Sequence, residues 1–150
     1  MNVEKILKTN KPLPKKKKLV INMMLATTEA NSMVADALKP FEISTQQFNV
    51  LRILRGQQGK PANLNTIQER MVNKMSNTTR LVDKLLDKKL ADRCICAENR
   101  RKVEIAITKK GLDLLKDIDP VIESTEDKIT ENLTEPEIEQ LNQLLEKMRK

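Results

Sequence analysis

A chain of 150 residues with 39% hydrophobic and 33% charged side chains is sized for one core, and no apolar run nears the ~18 residues of a membrane helix. Histidine, the commonest acid–base catalyst and metal ligand, is absent, so neither an enzyme nor a metal site or cofactor is expected. The net charge of +7 is unevenly spread: residues 1–60 carry +7, residues 61–111 carry +6 and residues 112–150 carry −6. A basic body points to a polyanion partner and an acidic last third to a different task, the plainer alternative being a lysine-rich solvated surface.

The first residues carry lysines around an interrupted apolar stretch without a small-residue cleavage site, so no secretion signal is expected and the expected location is cytoplasmic. "KTNKPLPKKKK", with two prolines and a lysine run, reads as an extended arm leading into a helix near Leu19. "VINMMLATTEANSMVADALKP" reads as a long methionine-rich helix ended by Pro40. Its methionines are either plain core or the lining of an adaptable apolar pocket. "ISTQQFNVLRIL" is a helix capped by Ser44, with Gln47 as reciprocal partner and Ile43 and Phe48 as a hydrophobic staple; Phe48, Leu51 and Leu54 form its buried stripe. After the loop "GQQGKPAN", Asn65 starts a short helix with Ile67 and Met71 as its apolar positions.

A break at "NKMS" precedes a helix capped by Ser76 and running through Leu90. At 100° per residue, Thr78, Leu81, Val82, Leu85 and Leu86 fall on one arc that must face the core. Asn77, Arg80, Asp83, Lys84 and Asp87 fall on the other. Ser76, Asn77, Thr79 and Arg80, at the N-terminal end of that outer arc, have the donors and acceptors that read base edges in a major groove, and a helix N-terminus favours phosphate. A solvated helix face is the alternative.

"ADRCIC", "AENRR" and "KVEIAIT" read as a strand, a turn and a returning strand. On the latter, Val103, Ile105 and Ile107 alternate with Lys102, Glu104 and Ala106. The hairpin tip bears Arg100 and Arg101, whose mutual repulsion is small in water and reverses into attraction when a phosphate backbone approaches. Cys94 and Cys96 point the same way on the strand, where a mutual disulfide would be strained; they read as half-buried thiols in a reducing compartment, the alternative being a redox sensor. From Thr108 a long helix runs toward Leu133 through Pro120. The last helix starts at Thr134, with a Glu137 capping box and a Leu133–Ile138 staple. Short helix, break, helix, hairpin is the plan of a winged helix-turn-helix.

"FNVLRIL", "SNTTRLVDKLLDKKLADR" and "ENRRKVEIAITKKG" resemble the multiple-antibiotic-resistance regulator (MarR) family of bacterial transcription factors, by motif over residues 42–115 and by element order over the whole chain. The resemblance implies a mainly α fold with a small β-hairpin wing. Residues 1–150 would form a single unit, with 44–111 as the winged helix-turn-helix and 19–40 and 112–150 as dimerisation helices. It implies that Ser76, Asn77, Thr79, Arg80 and Lys84 on the recognition helix, and Arg100 and Arg101 on the wing, contact double-stranded DNA. Asn99 and Arg93 would support the wing, although the family usually has an acid where Asn99 stands, which leaves Glu98 as a substitute brace.

Leu141, Leu144, Leu145 and Met148, with Ile21, Met24 and Leu25, would form an intersubunit core, the alternative being a core within one chain. The function so implied is a sequence-specific regulator, expected to be a repressor, that binds a pseudo-palindromic operator as a homodimer. A small-molecule effector that releases DNA is a further candidate partner, as is an oxidant acting through Cys94 and Cys96. The other reading is a winged helix used for protein interaction or for non-specific architectural DNA binding.

Overall fold

The computed structural model describes residues 2–95, 98–99 and 102–149. Among them are the helices α1 (Val3–Ile6), α2 (Lys15–Leu38), α3 (Thr45–Gly56), α4 (Leu64–Arg70), α5 (Thr78–Asp87), α6 (Lys109–Thr130) and α7 (Glu135–Met148). The strands β1 (Ala62–Asn63), β2 (Ala91–Ile95) and β3 (Val103–Ile107) form an antiparallel sheet in the order β1–β3–β2. The fold is the expected one: mainly helical, with a winged helix-turn-helix over α3 to β3.

Local signals start the helices. Ser44 accepts the Gln47 N–H at 3.1 Å, and the Gln47 side-chain oxygen accepts the Ser44 N–H at 3.1 Å, with Ile43 and Phe48 both buried beside them. Thr108 caps α6 by accepting the Gly111 N–H at 3.1 Å, and Thr134 and Glu137 form the box that opens α7.

Four sequence expectations need correction. The lysine run is not an extended arm: Lys15–Lys18 form the first turn of α2, entered through Pro14, and Lys18 holds Glu4 of α1 at 3.0 Å while Val3 is buried. Lysine's good helix propensity outweighs crowding of cations at the positive helix end. The cap of α4 is Asn63, which accepts the Thr66 N–H at 2.8 Å, rather than Asn65. The segment read as loop holds the two-residue strand β1, too short to show a period of two. Finally, α5 starts one residue later than expected and ends at Asp87. There Lys89 turns left-handed (φ 59°), while the Lys89 N–H donates to Leu86 and the Leu90 N–H to Leu85.

The core gathers around α3. Val50, Leu51 and Leu54 pack with Leu38 of α2, Ile67 and Met71 at α4, Val82 and Leu85 of α5, Ile105 of β3, and Leu115 and Ile118 of α6. Truncating any one of these to Ala costs about 2–5 kcal/mol. α5 is thereby clamped along its inner face, while β3, central in the sheet, ties the hairpin to the lead-in of α4 through Ala62 opposite Ile105. The terminal helices behave differently: α2 buries only Leu38, and α7 buries no residue.

Candidate nucleic-acid interface

The inner face of α5 fixes what its outer face presents. Thr78, Leu81, Val82 and Leu85 are buried and Leu86 is half-buried, so Asn77, Thr79, Arg80, Asp83, Lys84 and Asp87 all lie exposed on the opposite side. The arc expected from the 3.6-residue period is the one observed. Asn77 occupies the N-cap and accepts the Arg80 N–H at 3.1 Å, which engages its amide oxygen and leaves its NH₂ group as the outward donor. Arg80 stands one turn in, and Lys84 one turn further along the same face.

Ser76 is placed differently. It does not cap α5; it is buried to 9% exposure, and its hydroxyl has no hydrogen-bond partner among the described residues. Asn77 takes the cap instead, a position that asparagine fills as well as serine. Thr78 is turned inward, and its hydroxyl donates to the Gln68 side chain, linking the two helices of the motif.

The hairpin packs directly against α5. Arg93 on β2 reaches Asp83 at 3.4 Å, so this acid on the outer arc of α5 pairs with the hairpin. That pair is exposed and worth at most about 1 kcal/mol, but it orients the strand on the helix. Asn99 accepts the Lys102 N–H through its carbonyl at 2.9 Å, closing the hairpin turn. Cys94 is a half-buried free thiol on β2 opposite Glu104. Arg100, Arg101 and Cys96 lie outside the described residues.

Sequence reasoning missed the bracing of the turn between α4 and α5. Gln68 donates to the Lys74 carbonyl at 2.8 Å while accepting from Thr78, and the Lys74 ammonium returns to the Glu69 carbonyl. It also passed over Val72 and Met75, which this turn leaves in solvent. The available signal was two apolar residues in "MVNKMS" that no helical period claims.

Comparison with known proteins matches this architecture. A sequence profile of the MarR family covers residues 43–103, from the staple before α3 to the start of β3. The chain is 30% identical over 116 residues, 76% of its own length and 75% of the relative's, to the HTH-type transcriptional regulator TcaR of Staphylococcus aureus (strain Newman). The chain belongs to the MarR family. MarR-family proteins are transcription regulators rather than enzymes.

Two solved structures show the same fold. One is a mutant MarR from E. coli complexed with operator DNA, with a TM-score of 0.79 at 21% identity, covering 87% of this chain and 92% of that one. The other is BpsR of Bordetella bronchiseptica, described for the regulation of its DNA binding by 6-hydroxynicotinic acid, with a TM-score of 0.81 at 20% identity, covering 93% and 98%.

Proposed function

We propose that this MarR-family chain is a repressor that binds a pseudo-palindromic operator as a homodimer, with half-sites about one helical turn apart, and is released by a small ligand in the cytoplasm. The observation that carries the reading is the outer face of α5: Asn77, Thr79, Arg80 and Lys84 stand exposed together on a helix whose other face is locked into the core. Asn77 and Arg80 supply groups that pair with adenine and guanine edges, while Thr79 and Lys84 reach sugar and phosphate. Ser76, being buried, acts by seating the helix. Arg100 and Arg101 extend the interface from the wing, where the neighbouring minor groove attracts arginine, and Arg93 and Asn99 hold that wing in place.

Residues 44–111 form the DNA-binding part in this reading, and 19–40 with 112–150 the dimerisation part. Support for the dimer comes from apolar surface that one chain leaves bare: Leu19, Val20 and Met24 on α2, and Leu141, Leu144 and Met148 on α7. Support for a ligand comes from a cleft of about 440 Å³ between the end of α5, the turn at Phe41 and Glu42, and α6, lined also by Leu90, Lys88 and Lys110. It lies at the junction of the two parts and suits a small molecule in size. No described helix is long and apolar enough to cross a membrane.

Selection of bound duplexes from a random pool by the purified chain tests the reading. Arg80→Ala is expected to lose discrimination at one base pair by about 1–3 kcal/mol, and Arg101→Ala to weaken all duplexes alike and flatten the salt slope by about one. Weak, uniform binding that ignores Asn77→Ala and Arg80→Ala would instead mark an architectural or protein-binding winged helix.

A further inference from the structure

The turn between α4 and α5 holds two apolar side chains out in water. Val72 is 82% exposed and Met75 91%, the highest values among the large hydrophobic side chains of the described residues. Neither belongs to a loose loop. The Asn73 side chain accepts the Met75 N–H at 3.0 Å, the Asn73 carbonyl accepts the Ser76 N–H at 3.2 Å, and Gln68 grips the Lys74 carbonyl and the Thr78 hydroxyl. The Lys74 ammonium is folded back onto the Glu69 carbonyl, and the turn offers outward the apolar Val72 and Met75 beside the exposed Asn73 and Lys74.

Their surroundings select the occupant. Residues 72–80 hold two cations and no acid, and Met75 lies two residues before the cap of the recognition helix. The apolar surface suited to a second copy of the chain is elsewhere, on α2 and α7, whereas α4 packs on α3, α5 and the sheet. A duplex that receives the end of α5 presents a polyanionic backbone and, in its major groove, one apolar feature: the 5-methyl group of thymine. We infer that Val72 and Met75 read thymine methyl groups beside the bases contacted by Asn77 and Arg80. The inference rests on the reading of α5 as the recognition helix. The braced turn keeps both side chains in place before DNA arrives, so little ordering entropy opposes the contact.

The test uses the intact chain and its selected operator, with each thymine replaced in turn by deoxyuridine, which removes the methyl and leaves base pairing unchanged. One or two thymines per half-site are expected to lose affinity about four-fold on replacement, the equivalent of one buried methyl. Met75→Ala or Val72→Ala is expected to remove that sensitivity at its own position and to leave the preference set by Arg80 intact.

Tolerance of uracil at every position overturns the inference, as does a uracil effect that persists undiminished in both variants. Equal loss by a variant on thymine and uracil duplexes overturns it too, since the side chain would then be covering backbone or an unstacked base. If uracil is tolerated while Arg80→Ala still relaxes base preference, the inference alone falls; if no operator is selected, the proposed function falls with it. The uracil series on the unmodified chain needs no variant to fold.

Discussion

Gly111, the glycine of "KKG", sits in the first turn of α6 where that helix meets the end of the hairpin. A Cβ built there would lie 2.3 Å from the Leu90 carbonyl oxygen and 2.7 Å from Ile107 Cγ1, both far inside van der Waals contact. The oxygen cannot simply step aside, because it accepts the Thr108 N–H at 3.1 Å, and Thr108 in turn caps α6 through the Gly111 N–H. Gly111→Ala therefore carries an overpacking cost of about 1–3 kcal/mol and weakens a hydrogen bond worth about 1 kcal/mol, against a gain of about 0.5–1 kcal/mol from alanine's helix preference.

The balance is a loss of about 2 kcal/mol, or about 4–8 °C in Tm for a chain of this size. Gly56, at the end of α3, has nothing within 4 Å of its Cβ position, so Gly56→Ala should gain about 0.5–1 kcal/mol from the same preference. Thermal and urea unfolding at one fixed protomer concentration measure both, since association shifts the midpoint. A Gly111→Ala chain that melts at or above the parent temperature would refute the close-approach argument.

Leu144→Asp on exposed α7 should shift the chain to monomer and weaken association at least about 100-fold, with helix content unchanged; a variant still dimeric by sedimentation places the interface elsewhere. Asp119→Asn removes the carboxylate that grips Arg55 at 2.7 and 3.1 Å between α6 and α3. The pair is partly exposed, so the loss should stay below about 1 kcal/mol and vanish in 1 M salt. Hydrogen bonds from the Thr134 N–H and hydroxyl hold the Glu137 carboxyl below the ordinary 4.5. A lowered folded-state pKa stabilises above the ordinary value and is lost as pH falls through the depressed one, so the start of α7 should loosen in that acid window. Glu137→Gln should flatten that limb of a circular-dichroism titration; an unchanged limb would assign it to other carboxylates.

Where one physical signal dominated, the sequence was legible. The capping boxes at Ser44 and Thr134 each rest on a hydroxyl followed three residues later by Gln or Glu, and both are found. The amphipathic arc of α5 was readable because a helix packed on one side must segregate its side chains. What escaped depends on contacts between segments distant in sequence. Asn63 caps α4 because β1 pairs with β3, some forty residues on, and fixes where that helix can begin. Lys89 turns left-handed with no glycine to announce it. The Asp83–Arg93 pair is invisible until the hairpin folds over the helix, and the burial of Ser76 follows from a turn tied by Gln68, five residues before the break. The terminal faces were legible as apolar, and Leu19, Met24, Leu141 and Leu144 stand exposed on them.

The placement of β3 between its two neighbours has a mechanical consequence. Its inner edge is bonded to the segment that launches α4, and its outer edge to the strand that Arg93 pins to α5. A displacement of β3 is thus passed to the start of α4 along one edge and, through β2 and the Arg93–Asp83 pair, to α5 along the other.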